Sequence, residues 1–153
     1  MRFNDFLPRE SHITNLVALT KREAIAEMVE KLATLGHLSA GQQPGVLAAL
    51  LERERIRTTA IGDGVAIPHA RYPGVRQMMG IFARSAAGLP FDAPDGKPVT
   101  LLFMLLCSST ESHLEALTFL SRVLQDRLFR NFLEKASTSG DIQKILDSAD
   151  AQT

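Results

Sequence analysis

The amino-acid sequence predicts an α/β fold: a single domain over residues 1–153, with a central mixed β-sheet flanked by helices. Apolar residues recur at helical spacing in the first and last thirds of the chain, whereas the middle third carries short apolar segments separated by Gly, Pro and Asp. One of these segments, 99–107, is apolar on both faces, as a central strand covered on both sides would be. Helices before and after a set of strands favour one layered domain.

Two helices are predicted in the first third. The first follows Thr20, whose side chain should cap it while Glu23 reaches back in a capping box, and Gly36 ends it. The second begins near Pro44 and finishes in the charged turn 52–55.

The middle third predicts three strands, and the last third predicts three helices. The strands cover 65–67, 78–82 and 99–107, with turn chemistry over 89–98. The first of the late helices starts around Glu111, and the last is a short helix with Ser139 or Asp141 near its start. The apolar stripes of the first two of these helices contain Leu114, Leu117, Phe119, Leu120, Val123 and Leu124, then Leu128, Phe129, Phe132 and Leu133.

The composition argues against several functional classes. The 17 Lys and Arg residues balance the 17 Asp and Glu residues, which disfavours nucleic acid as the main partner because binding to a phosphate backbone usually needs a basic face. The one cysteine, Cys107, lies in an apolar segment, typical of a small buried side chain in a reducing compartment. No signal peptide is visible, and the longest apolar run, 101–107, is too short for membrane insertion. We therefore expect a soluble cytoplasmic protein.

The four histidines differ in their surroundings. His37 lies at a helix end, where a cation suits the helix dipole, and His12 lies in a polar N-terminal segment, so we expect both at the surface. His69 follows Pro68 at the end of the predicted strand 65–67, and strand ends line the ligand crevice of α/β sheets. Taken alone, such a histidine is more often a structural loop residue than a functional one.

His113 supplies a second imidazole in a comparable place. It follows the hydroxyl-rich stretch 108–112 after the strand 99–107, at a strand-to-helix junction where free backbone amides can bind an anion. If the strands that lead to His69 and His113 are parallel and adjacent, the two imidazoles face each other across one pocket.

Three chemistries use such a pair of histidines. A metal site needs three or four ligands at suitable spacing, and no such cluster is visible. A serine hydrolase needs a nucleophile elbow of the type G-x-S-x-G, which is missing. Nucleophilic catalysis by histidine itself remains, with a phosphoryl group as the electrophile, a second imidazole as hydrogen-bond donor and an arginine to offset the charge of the oxygens.

The stretch LLERERIRTTAIGDGVAIPHAR, residues 50–71, resembles the signature of the enzyme IIA domains of the bacterial phosphoenolpyruvate-dependent sugar phosphotransferase system, mannitol/fructose class. The family pattern is an R-E pair, a Ser or Thr, and then G-x-G-[IV]-A-[IV]-P-H. Residues 89–99 are similar to the next block of the family, and residues 112–114 with the apolar positions after them resemble the third. Among the subgroups, the resemblance favours the stand-alone nitrogen-related regulator, because the chain holds one domain of this size.

The resemblance implies roles for four residues. His69 matches the histidine that is phosphorylated by a histidine phosphocarrier protein, and His113 matches the second histidine, which orients the phosphorylated imidazole. Arg53 matches the arginine that pairs with the phosphoryl oxygens, although without the resemblance it would be taken for a solvated residue at a helix end. Thr59 lies where the family has a Ser or Thr near the pocket, and it is a weaker candidate for binding the substrate.

The resemblance implies a phosphoryl-transfer component that accepts its phosphoryl group on His69 and acts as a nitrogen-related regulatory protein. There are two alternatives. One is a sugar-transport enzyme IIA of the fructose or mannitol type that passes the group to a IIB partner, and the other is a purely regulatory module whose partners depend on the phosphorylation state of His69. No cofactor and no metal are expected, because positioning and electrostatics suffice to transfer an already activated phosphoryl group.

Overall fold

A six-stranded mixed sheet forms the centre of the molecule. The computed structural model describes residues 1–152 of the chain. Its strands are β1 (His12–Ile13), β2 (Ala60–Gly62), β3 (Val65–Ala66), β4 (His69–Arg71), β5 (Met79–Leu89) and β6 (Val99–Cys107). Its α-helices are α1 (Lys21–Thr34), α2 (Gln43–Ile56), α3 (Thr110–Val123), α4 (Arg127–Lys135) and α5 (Ser139–Ala151), and 3-10 turns cover Phe3–Asp5 and Ala40–Gln42. In the described part of the chain, no helix is long and apolar enough to cross a membrane.

The sheet has the strand order β1-β5-β6-β3-β2, and β4 also pairs with β6. Strand β5 runs antiparallel to β6, whereas β3 and β4 both run parallel to β6, one after the other along its length. Strand β1 is parallel to β5, and β2 is antiparallel to β3. The sheet is therefore mixed, which confirms the predicted α/β fold.

Strand β6 is apolar at every position except Thr100, because helices cover both of its faces. Its alternate residues point to opposite sides of the sheet, and the two sets belong to two separate core clusters. Leu102, Met104 and Leu106 pack in the cluster that contains the apolar residues of α1 and α2. Leu101, Phe103 and Leu105 pack in the cluster formed with the N-terminal turn and α3, α4 and α5.

Helix α1 begins and ends close to the predicted residues. Its N-cap is Thr20, whose hydroxyl oxygen accepts a hydrogen bond from the Glu23 N–H (3.2 Å). The Glu23 carboxylate accepts from the Thr20 hydroxyl (2.8 Å), so the predicted return bond is made to the cap side chain instead of the backbone N–H. At the other end, Gly36 has a positive φ of 87°, and the N–H groups of Gly36 and His37 donate to the carbonyls of Ala33 and Leu32, which together form a Schellman motif.

Several predictions from the sequence need correction. Strand β5 continues to Leu89, and α5, predicted to be short, has 13 residues and Thr138 as its N-cap. His12, predicted at the surface, is only 4% exposed; it lies in β1, and its Nδ1 is 2.9 Å from the Ser139 hydroxyl at the start of α5. Three members of the predicted apolar stripes are exposed, namely Leu114, Leu128 and Phe132.

Candidate functional site

His69 is held in place by the pairing of β4 with β6. The sequence predicts it at the end of strand 65–67, but β3 ends at Ala66 and His69 begins the separate strand β4. In the parallel register His69 lies beside Leu105, and the Leu105 N–H donates to the Pro68 carbonyl (2.9 Å). Pro68, which has no N–H of its own, thus still links the short strand to the central one.

The backbone also fixes which nitrogen of His69 carries the proton. The Nδ1 of His69 lies 2.7 Å from the Ile67 carbonyl oxygen. A carbonyl oxygen can only accept, so in this contact Nδ1 carries the hydrogen. The neutral ring then has its lone pair on Nε2.

His113 meets His69 at the end of the sheet. Helix α3 begins directly after β6, with Ser109 as its N-cap, and His113 lies in its first turn. The two imidazole rings have their centroids 4.7 Å apart and their planes at 76°. The Nε2 atom of His113 is buried and has no hydrogen-bond partner within residues 1–152. The structure therefore confirms that β4 and β6 are parallel and adjacent and that the two imidazoles face each other.

Burial favours the neutral form of both imidazoles. Burial lowers the pKa of His69 below its usual 6.5; the Arg53 charge lowers it further, whereas the hydrogen bond to the Ile67 carbonyl and the Glu54 carboxylate raise it. Burial, together with the charges of His69, Arg71 and Arg53, lowers the pKa of His113 to about 4. A neutral His69 keeps the lone pair that a nucleophile needs.

Two arginines supply positive charge around the histidine pair. Arg53 lies in the last turn of α2, partly buried, and its Nη1 donates to the carbonyl of Arg57 (2.7 Å). The Arg57 side chain itself is exposed. Arg71, at the end of β4, donates to the hydroxyl of Thr110 in the first turn of α3.

Thr59 is buried and already has a partner. Its N–H and its hydroxyl both donate to the Glu54 carboxylate, at 2.9 and 2.5 Å. Its one hydroxyl hydrogen is therefore used inside the protein and is not free for a phosphoryl oxygen.

Glu54 lies near the site but is not among the residues that the sequence predicts for it. The sequence pattern places Glu54 in a charged turn, whereas its side chain lies inside the protein, 6% exposed. Helical periodicity gives the signal: Glu54 follows Leu50 by four residues and Val46 by eight, and these two are fully buried. An acid on the apolar face of a helix needs partners.

The other features of the described residues do not indicate a second site for this chemistry. Residues 1–152 contain no group of three or more His, Cys, Asp or Glu side chains that could hold a metal ion. A wide cleft of about 1480 Å³ lies between β1, α1 and α5 and is lined by none of the residues of the histidine pair or its arginines. Cys107 is buried at the end of β6, and burial raises the pKa of its thiol.

The chain forms a small α/β domain with a pair of histidines at the end of its sheet. Residues 5–149 match the family described as phosphoenolpyruvate-dependent sugar phosphotransferase system, EIIA 2. The chain belongs to this family, as the sequence motifs predict, and it is a phosphotransfer component of that system.

Relatives of two kinds resemble the chain. A nitrogen regulatory protein of Bradyrhizobium diazoefficiens is 35% identical over 147 residues, which is 95% of this chain and 92% of that protein. The fructose-specific EIIA component of Haloferax volcanii is 40% identical over 129 residues, 83% of this chain and 82% of that protein. The crystal structure of the nitrogen regulatory protein IIA-Ntr from Neisseria meningitidis superimposes with a TM-score of 0.83 at 34% identity, covering 94% of this chain and 98% of the other.

Proposed function

We propose that Nε2 of His69 reversibly accepts a phosphoryl group from the phosphohistidine of a histidine phosphocarrier protein, and that the phosphorylation state of the protein is a regulatory signal. The observation that carries the first part is the hydrogen bond from Nδ1 to the Ile67 carbonyl, which leaves the lone pair on Nε2 beside His113. The similarity to nitrogen regulatory proteins supports the second part.

The transfer is balanced without any proton leaving the site. The lone pair of His69 Nε2 forms the new N–P bond while the N–P bond on the carrier breaks, and the carrier nitrogen leaves with that electron pair as a neutral imidazole. The proton on Nδ1 of His69 stays between the ring and the Ile67 carbonyl. The positive charge that the ring gains is therefore placed against a carbonyl oxygen, which stabilises it.

Three neighbouring side chains are suited to hold the new phosphoryl group. His113 has a buried Nε2 without a partner within the described residues, and in its Nε2–H tautomer it donates to a phosphoryl oxygen. Arg53 and Arg71 lie near enough to lower the pKa of His113, so they also offset the roughly two negative charges of the group. These contacts act on charge that accumulates during transfer.

Three exposed apolar side chains lie close in sequence to candidate site residues and suit a transient docking face. Ile56 at the end of α2 is 70% exposed, Ile61 in β2 is 47% exposed, and Leu114, directly after His113, is 60% exposed. Exposed apolar side chains of this kind allow a partner to dock briefly and then leave.

Phosphoryl uptake is tested by intact mass after incubation with phosphoenolpyruvate, enzyme I and the phosphocarrier. Wild type should gain one phosphoryl group, and His69→Ala should gain none while its circular dichroism spectrum stays unchanged. His37→Ala is the matched control, because His37 follows the end of α1 and belongs to neither β4 nor α3, which carry His69 and His113; this variant should be labelled like wild type. Acid-labile phosphate on His69→Ala would refute the assignment.

The alternative function is a sugar-transport EIIA that passes the group to a IIB protein, and the similarity to the fructose-specific component favours it. Mixing the phosphorylated protein with a fructose-class IIB protein separates the two functions. A phosphoryl group that stays on this chain for many minutes supports the regulatory function, and rapid loss to IIB supports transport.

A further inference from the structure

Glu54 is a buried carboxylate that takes no part in the chemistry proposed above. It accepts two hydrogen bonds from Thr59, from the N–H at 2.9 Å and the hydroxyl at 2.5 Å. Its third partner is the ammonium of Lys21, 3.2 Å away at the start of α1. Lys21 also pairs with the exposed Asp92 and lies over the ring of Phe91. One residue at the end of α2 thus joins α1 to the chain entering β2.

From Thr59, backbone hydrogen bonds lead directly to the proposed nucleophile. The Thr59 carbonyl accepts from the Ile67 N–H (3.0 Å). The carbonyl of the same Ile67 accepts from Nδ1 of His69 (2.7 Å). The position of Ile67 is therefore set on one side by Thr59, and on the other side it sets the orientation of the imidazole.

We propose that Glu54 is a positioning residue for the phosphoryl-accepting histidine. Its hydrogen bonds to Thr59 fix the position of the Ile67 carbonyl. That carbonyl in turn keeps His69 in the tautomer with Nδ1–H and a free Nε2. The consequence for phosphoryl uptake rests on the function proposed above. The tautomer itself is a property of the unphosphorylated protein and can be measured without any transfer.

A carboxylate suits this place better than an amide. Both of its oxygens accept, so the N–H and the hydroxyl of Thr59 are satisfied together. Its charge is matched by Lys21, whose side chain is 21% exposed. A glutamine would offer one acceptor oxygen and would turn an N–H₂ group towards the other donor or the ammonium.

The test compares Glu54→Gln with Glu52→Gln, a matched change two residues earlier on α2. Glu52 is exposed and pairs with Arg55, so its loss should leave the site unchanged. Nitrogen-15 chemical shifts of the His69 ring report the tautomer: in wild type and Glu52→Gln they should show a protonated Nδ1 and a bare Nε2. In Glu54→Gln they should move towards the average of two tautomers, and phosphoryl uptake should slow about tenfold, as expected for one weakened hydrogen bond to a charged group.

A second pair of variants covers the case in which Glu54→Gln does not fold. Thr59→Val loses only the hydroxyl bond, and Thr59→Ser restores it, so the tautomer shift should appear in the first and disappear in the second. Wild-type ring shifts in a folded Glu54→Gln or in Thr59→Val overturn the proposal. If wild type takes up no phosphoryl group but the ring shifts respond as described, the proposed function fails and the positioning role stands.

Discussion

Replacing Arg53 with Met should slow phosphoryl uptake by about 10- to 30-fold. Arg53 makes one hydrogen bond within the described residues, from Nη1 to the Arg57 carbonyl, which leaves the donors on its Nε and Nη2 available. Its charge already acts on both imidazoles, since it lowers the pKa of His69 and of His113. We therefore expect the guanidinium of Arg53 to donate a hydrogen bond to a phosphoryl group on His69.

The magnitude comes from the loss of one charge-assisted hydrogen bond at a partly exposed position. Such a bond contributes about 1.5–3 kcal/mol, and the lower part of that range applies because solvent screens a partly buried arginine. A loss of about 1.5–2 kcal/mol from the transition state corresponds to the stated 10- to 30-fold decrease in rate.

The assay is the rate of phosphoryl uptake from the phosphorylated carrier, followed by intact mass at short times. Arg57→Met is the matched control: it removes a cation four residues away whose side chain is exposed and whose carbonyl, unchanged by the substitution, holds Arg53. Its rate should change less than about twofold in moderate salt. Equal defects in the two variants would show that general steering by positive charge dominates, and the specific role of Arg53 would be refuted.

Two further predictions concern His113. His113→Ala should retain slow labelling on His69 and release the group faster, because a hydrogen-bond donor contributes less than the nucleophile; complete loss of labelling, as in His69→Ala, would contradict this and indicate a collapsed pocket. The pKa of His113 is about 4 in the folded state, against the usual 6.5. Between these pH values the unfolded chain binds a proton that the folded chain does not. The free energy of unfolding should therefore fall as the pH is lowered from about 6.5 to 4. Because the ring is partly exposed, the loss of stability from this group should be about 1–2 kcal/mol. Urea melts across this pH range should show the loss, and His113→Gln should flatten the dependence of the unfolding free energy on pH. An unchanged pH dependence in that variant would refute the assignment.

The main strands and helices could be predicted where local sequence and tertiary packing agree. Strand β6 has the predicted bounds because a run that is apolar on both faces, with Thr100 as its one polar residue, fits only a place covered on both sides. Helix α1 carries its own signals, a threonine cap and a terminal glycine. The short strands β1 and β4 lack such signals, since two or three residues show no periodicity, and they exist because β5 and β6 offer free edges for pairing.

The candidate site was only partly predictable for a related reason. A histidine after Pro68 and another at the start of a helix could be picked out along the chain, and their meeting depended on a parallel register that the structure supplies. The tautomer of His69 could not be predicted, because it depends on the orientation of a backbone carbonyl. The burial of His12 was missed because it depends on a contact with α5, more than a hundred residues away.

The hydrogen-bond acceptor for Nδ1 of His69 belongs to the main chain, and this affects which substitutions the protein tolerates at position 67. Every amino acid at position 67 provides the same carbonyl, so no single substitution there deletes the group that orients the ring. The Ile67 side chain, 2% exposed in the second core cluster, is constrained by packing alone. In a library of variants at this position, tolerance should therefore follow the size and hydrophobicity of the new residue, as at any core position, although the residue lies one step from the centre of the reaction.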